Sequence, residues 1–284
     1  MAALDPPFDG GGRGLFPYAN GLINWSHPLA ANLIFFAVPT SYGWFDLVRR
    51  FPMPHVTPTS SPLDPSDVQL FTDTPLGMAA WSYGNGNTNP RGAYAVTPIQ
   101  ASYQPASAMT VACGCWSYPY RGGYSGTANR LVSATSGTDN TGVLTIEAVN
   151  AATALVGGGG STATTADGSI NINNAQVTHG LMAAYNGTTL CVERDGHLGA
   201  NALATSKAWS GINQIRIGDP SNACGRPIFW AAAWNTALLT SGSGTVLSEL
   251  ATSGSADGAV ARNVAFGAIP RGLVLARPLT VRCL

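Results

Sequence analysis

Val177-Thr-His179-Gly-Leu181-Met-Ala183-Ala-Tyr185-Asn186-Gly187-Thr-Thr-Leu-Cys191-Val-Glu193-Arg-Asp195-Gly196-His197-Leu198 is the stretch that decides the fold. Val177, His179, Leu181, Ala183 and Tyr185 recur at a period of two, the spacing that puts side chains on one face of a strand. Asn186-Gly187 follows, a pair suited to a two-residue hairpin because both central positions of that turn need positive φ. Thr188 to Glu193 then reads as the return strand. Asp195-Gly196 is a second turn of the same kind, and His197-Leu198 opens a third strand. The segment therefore predicts a three-stranded antiparallel meander.

The same period extends outward. Met109, Val111, Cys113 and Cys115 alternate with Thr110, Ala112 and Gly114, and a further strand is predicted over Val143 to Val149, with Leu144, Ile146 and Ala148 on one side. Gln214 to Gly218 and Ile228 to Trp234 are two more. The last is apolar on both faces, which suits a strand between two packed layers. Pro52, Pro54, Pro58, Pro62 and Pro65 exclude a helix or a central strand after the first apolar segment. Gly84 to Asn89 and Gly157 to Gly160 read as loops, and one short helix is predicted over Thr245 to Ala251. Many short strands punctuated by turns predict an all-β, two-sheet antiparallel sandwich.

Composition agrees. The chain has 284 residues, one lysine (Lys207) and three glutamates (Glu147, Glu193 and Glu249), so it lacks the residues that usually cover helix surfaces. Fourteen basic and fourteen acidic side chains cancel, which argues against a nucleic-acid binder; 45% hydrophobic residues argue against disorder. Only 10% of residues are charged, and so neutral a surface invites association, so a homo-oligomer or partner-covered surface is expected. Runs such as Leu33 to Val38 are too short to span a bilayer, and Met1 to Gly12 lacks a basic and an apolar region, so synthesis in a cytoplasm without membrane contact is expected. Cys113, Cys115, Cys191, Cys224 and Cys283 are odd in number and lack metal-knuckle spacing. They read first as buried small hydrophobes, with a disulfide second and a metal site third.

Three ordered segments resemble the laminin-G-like, concanavalin A-like lectin/glucanase family. They are Met109-Thr-Val-Ala-Cys-Gly-Cys-Trp116; His179 through Gly196; and Ile215-Arg-Ile-Gly218 followed by Phe229-Trp-Ala-Ala-Ala-Trp-Asn-Thr-Ala-Leu238. The match covers about residues 105 to 252, and the resemblance implies a jelly-roll sandwich, concanavalin A-like in topology. Asn24-Trp-Ser-His-Pro-Leu-Ala30 with Leu33-Ile-Phe-Phe-Ala37 resembles the opening of related domains in bacteriophage-encoded proteins. The family's early Phe-Asp-Gly strand is not evident, and the stretch Trp81 to Val96 stands in its place.

Related glucanases carry Glu-x-Asp-x-x-Glu on one strand, because glycoside cleavage needs two carboxylates across the scissile bond. Here Glu193-Arg-Asp195 has no second glutamate, and Asp195 is explained by its turn. No Gly-x-Ser-x-Gly elbow accompanies His27, His55, His179 or His197. No catalytic residue is therefore assigned, and the chain reads as a non-enzyme. Asp139, Asn140 and Asp219 are too few to build a calcium site, so no metal and no cofactor are expected.

Two aromatic segments have the composition of a glycan platform or of a protein interface: Trp81, Tyr83 and Asn85 in one, and Tyr118, Tyr120, Arg121 and Tyr124 in the other. The organisation expected is an N-terminal arm over 1–22, a sandwich over 23–253 and a C-terminal arm over 254–284. Phe16, Tyr18, Arg262, Phe266, Arg271 and Arg277 are the arm residues placed to meet a partner, since Gly- and Pro-rich arms order when they lie on neighbouring subunits. With the resemblance, this implies a bacteriophage virion protein that decorates the capsid through its arms. The alternative is a carbohydrate-binding adhesin domain of a phage tail or bacterial surface.

Overall fold

In the computed structural model, residues 23, 25, 30–40, 43–56, 69–74, 77–82, 94–98, 103, 108–116, 130–135, 144–148, 152–156, 163–166, 178–187, 189–194, 197–198, 203–204, 212–218 and 226–238 are described. They form strands β1 (Leu33–Thr40), β2 (Gly43–Asp46), β3 (Phe51–Pro52), β4 (His55–Val56), β5 (Gln69–Thr74), β6 (Gly77–Ser82), β7 (Tyr94–Val96), β8 (Met109–Trp116) and β9 (Arg130–Thr135). The chain continues through β10 (Leu144–Ala148), β11 (Ala152–Val156), β12 (Ala163–Ala166), β13 (Thr178–Tyr185), β14 (Thr189–Arg194), β15 (His197–Leu198), β16 (Leu203–Ala204), β17 (Gln214–Ile217) and β18 (Ile228–Trp234).

The strands make two antiparallel sheets, the all-β sandwich that the sequence predicts. The larger runs β15-β14-β13-β8-β18-β1-β2-β3, with β16 on β14 and the β5–β6 hairpin on β18. The smaller runs β12-β11-β10-β9-β17-β7-β4. The core lies between them: Phe35, Val111, Cys113, Leu181, Ala183, Tyr185 and Val192 from one sheet meet Leu131, Val132, Leu144, Ile146, Ile215 and Ile217 from the other. This is the alternation read from the sequence, now with a partner layer.

The meander is present, with β13, β14 and β15 adjacent, but its first turn is set differently. Tyr185 pairs with Leu190, and the Asn186 N–H donates to the Thr189 carbonyl at 3.2 Å. The two central positions are therefore 187 and 188, one residue later than Asn186-Gly187. Gly187 takes the first of them at φ +96°, a conformation open to glycine at little cost. The physical reason is local: Asn186 Oδ1 accepts the Thr189 N–H at 2.7 Å, so the asparagine caps the turn instead of standing in it. The second turn keeps its predicted place, because Arg194 pairs with His197 and leaves only positions 195 and 196 between them.

The larger sheet is apolar on both faces. Phe36, Val38, Ala112, Met182, Ala184, Phe229, Trp230, Ala232 and Trp234 form a second cluster on its far side, with Phe36 and Trp230 stacked at 5.8 Å. Strand β18 contributes to both clusters, as its apolar sequence predicts. A register shift between Ile228 and Trp230 lets Phe229 and Trp230 join the same outer cluster although they are consecutive. The smaller sheet is polar outside: the Thr145 hydroxyl donates to Ser133 Oγ at 3.1 Å, and Arg130 meets Glu147 at 2.8 Å.

Pro52 lies on edge strand β3, where a missing N–H costs no ladder bond. Cys113, Cys115 and Cys191 are buried and in no disulfide. Cys224 and Cys283, the predicted helix over Thr245 to Ala251, both arms and their six named residues lie outside the described residues.

Candidate functional site

Strands β3 and β4 are the outermost strands of the two sheets on one side, and only Met53 and Pro54 separate them in sequence. The chain therefore passes from one sheet to the other here and turns the corner of the sandwich. The Met53 N–H donates to the Trp44 carbonyl at 2.8 Å, and the Val96 N–H donates to the Pro54 carbonyl at 3.1 Å, fastening the crossing to both layers.

Behind this crossing is a cavity of about 410 Å³, lined among the described residues by Asp46, Arg49, Phe51, Met53, Thr97, Pro98 and Tyr103. Each wall has a local cause. Asp46 ends β2 and pairs with Phe51 across a four-residue loop. Its Oδ1 accepts the Val48 N–H at 2.9 Å and the Phe36 N–H of β1 at 3.4 Å, the first contact holding the loop in the manner usual for aspartate at a turn. Arg50 closes the loop at φ +54°, in the left-handed region. On the opposite wall, Thr97 is locked to β17. Its N–H donates to the Ile215 carbonyl, and its Oγ1 accepts the Ile215 N–H, both at 2.9 Å.

The polar atoms of the cavity are unevenly served. Asp46 is 2% exposed, yet its Oδ2 has no hydrogen-bond partner, and Arg49 Nε stands off at 4.0 Å. The Arg49 guanidinium lies over the Tyr103 ring at 4.2 Å. Tyr103 is fully buried, and its hydroxyl likewise has no hydrogen-bond partner. The Thr97 hydroxyl lies near enough to favour the phenolate slightly, but outside hydrogen-bond geometry.

Burial pushes the Asp46 carboxyl up to about 6, overriding the backbone donors of Phe36, Val48 and Arg49 and the Arg49 charge. Burial and then the Asp46 charge push the Tyr103 phenol up to about 12. At neutral pH the corner thus holds a mostly ionised carboxylate and a phenol that keeps its proton. Phe51, 43% exposed, supplies an apolar rim.

None of these seven residues was singled out by the sequence. A signal existed for one of them: Asp46 interrupts the apolar run Trp44-Phe45-Asp46-Leu47-Val48 in a chain poor in charge. Of the predicted site residues, Trp81 lies on β6, paired with Leu70. Tyr83, Asn85, Tyr118, Tyr120, Arg121 and Tyr124 lie outside the described residues, as do Asp139, Asn140 and Asp219. Glu193, the acid that a glucanase reading would need, is 1% exposed and paired with Met182 within the larger sheet. Among the described residues no three His, Cys, Asp or Glu side chains converge on a common point.

No protein-family model and no curated protein matches the sequence. Solved structures do resemble the fold. The binding domain of Paraclostridial Mosquitocidal Protein 1 superposes with a TM-score of 0.53 at 12% identity, covering 78% of this chain and 52% of that one. A structure of botulinum neurotoxin type C, whose cell entry depends on interaction with two ganglioside molecules, gives 0.48 at 10% identity, covering 74% and 49%. Trypanosoma rangeli sialidase in complex with sialic acid gives 0.49 at 17% identity, covering 74% and 31%. The chain spans about half the length of the toxin structures and a third of the sialidase. At these identities the likeness to the mosquitocidal protein concerns the β-sandwich fold.

Proposed function

We propose that this chain is a non-catalytic, lectin-like binding domain that recognises carbohydrate. The observation that carries this reading is the corner cavity of about 410 Å³, whose lining joins apolar Phe51, Met53 and Pro98 to polar Asp46, Arg49, Thr97 and Tyr103. A mostly apolar hollow with a few convergent polar groups is the usual form of a small-ligand site. The likeness of the fold to a toxin's binding domain supports the same reading, as does the sequence resemblance to the concanavalin A-like lectins. A panel of immobilised glycans tests it. The intact chain is expected to bind a defined subset, whereas a chain that is folded by circular dichroism yet binds none contradicts it. Trp81→Ala and Tyr120→Ala ask whether the aromatic segments share in that binding; a loss in either assigns its segment to the glycan surface.

A second reading is a bacteriophage virion protein that decorates the capsid, with residues 1–22 and 254–284 as its attachment arms and a homo-oligomer as its working form. It draws on the likeness of Asn24 to Ala37 to phage-encoded domains and on a composition with only 10% charged residues. Deleting residues 1–20 should abolish co-sedimentation with particles. Undiminished co-sedimentation would count against it.

A further inference from the structure

We infer that the corner cavity is a subsite for a sugar that carries a carboxylate, its charge met by Arg49 and its C–H face by Phe51. The inference rests on the carbohydrate-binding reading and gives it a site and a sugar class. What decides it is which lining groups a ligand can touch. Asp46 and Tyr103 are buried, with their unmet oxygens closed to solvent. Thr97 is buried too, and its hydroxyl oxygen already accepts the Ile215 N–H. Arg49 keeps 27% of its side chain exposed, and Phe51 is 43% exposed. Among the described lining residues, the polar group most open to a ligand is therefore a cation, and the most open apolar group is an aromatic ring. The hollow they border, about 410 Å³, sits at the small end of the range of about 300–1,000 Å³ used for small ligands.

An acidic monosaccharide is the complement of that pair. Its carboxylate is planar and accepts two parallel hydrogen bonds from a guanidinium. Its ring carries polarised C–H groups that pack on the electron-rich face of an aromatic side chain. The Arg49 side chain is held in place before any ligand arrives. Its guanidinium lies over the buried Tyr103 ring at 4.2 Å, and its Nε is closed to solvent on the side of Asp46 Oδ2, 4.0 Å away. Such pre-organisation lowers the entropy lost on binding. Asp46 does not cancel the attraction. Its Oδ2 is closed to solvent, so a ligand carboxylate touching the guanidinium stands closer to the cation than to that oxygen, and Coulomb energy falls with distance.

The test uses the intact chain on immobilised oligosaccharides ending in sialic acid or in a hexuronic acid. Each is paired with the same chain whose carboxylate has been reduced to the alcohol, and sulfated chains without a carboxylate complete the set. Binding to an acidic terminus is expected, weakened about tenfold or more by the reduction, which leaves the protein untouched. The preferred terminus, sialic or hexuronic, identifies the source of the carboxylate. Arg49→Gln should abolish the discrimination between acid and alcohol, with retained thermal unfolding as its control. Arg49→Lys should keep part of that discrimination, and Phe51→Ala should weaken both forms alike. Equal binding of acid and alcohol by the parent chain, or binding confined to sulfated chains, overturns the sugar class while leaving the carbohydrate reading standing. Acid binding unchanged in Phe51→Ala, or discrimination undiminished in Arg49→Gln, overturns the site. Absence of binding to every probe, here and on the wider glycan panel, overturns both.

Discussion

Glu193 and Asp46 are buried carboxyls that the fold keeps for different reasons. Asp46 holds a loop through backbone donors, whereas Glu193 sits beside Cys191 on the outer face of β14, and its Oε2 lacks a partner. Burial pushes the Glu193 carboxyl up to about 7 and, with the Glu193 charge as a second cause, raises the Cys191 thiol. The sign of the pH effect follows. The unfolded chain releases the Glu193 proton near 4.5, but the folded chain retains it to about 7. Stability is therefore greatest below the unfolded value and falls as pH rises through the folded one. Asp46 acts in the same direction between 3.8 and about 6. Urea unfolding should show a declining midpoint from pH 4.5 to 7. Glu193→Gln should flatten the upper part of that decline, by roughly 1–3 kcal/mol at pH 7 relative to the parent slope. An unchanged slope in the variant would show that Glu193 ionises as easily folded as unfolded.

At the scale of elements, the tightest constraint is the triple of strands β13, β8 and β18. Gly114 pairs with Gly180 on one side and Trp230 on the other, and a Cβ at position 114 would collide with the Trp230 indole. Gly114→Ala should therefore lower stability by roughly 1–3 kcal/mol, measured by chemical denaturation, because the indole stacked on Phe36 has to move. A neutral result would mean the ring has room to shift. Beyond β18, the Thr110 hydroxyl donates to the Thr236 carbonyl at 2.8 Å and accepts the Leu238 N–H at 2.9 Å, so β8 also fixes the exit of its neighbour.

These strands were legible in the sequence because alternation is a local property, and β18 was legible as central because both its faces are apolar. The Asn186 turn was misplaced by one residue because an asparagine side chain can serve a turn from its flank as well as from its centre. The corner was illegible because its walls come from positions 46–53, 97–98 and 103, joined only after β3 and β4 take the edges of different sheets. No spacing rule links Asp46 to Tyr103; the crossing at Met53 and Pro54 does.

At the scale of the molecule, the two sheets differ in a way that bears on function. The larger carries apolar clusters on both faces, while the smaller turns Ser133, Thr145, Glu147 and Arg216 outward. The margin where the chain changes sheets holds the cavity. The most direct measurement is a crystal structure of the intact chain with an oligosaccharide selected on the glycan panel. The account predicts a sugar at the cavity behind the Met53–Pro54 crossing, against the exposed Phe51 side chain of its lining. A sugar bound elsewhere on the sandwich, with that corner closed by the protein's own side chains, would contradict it.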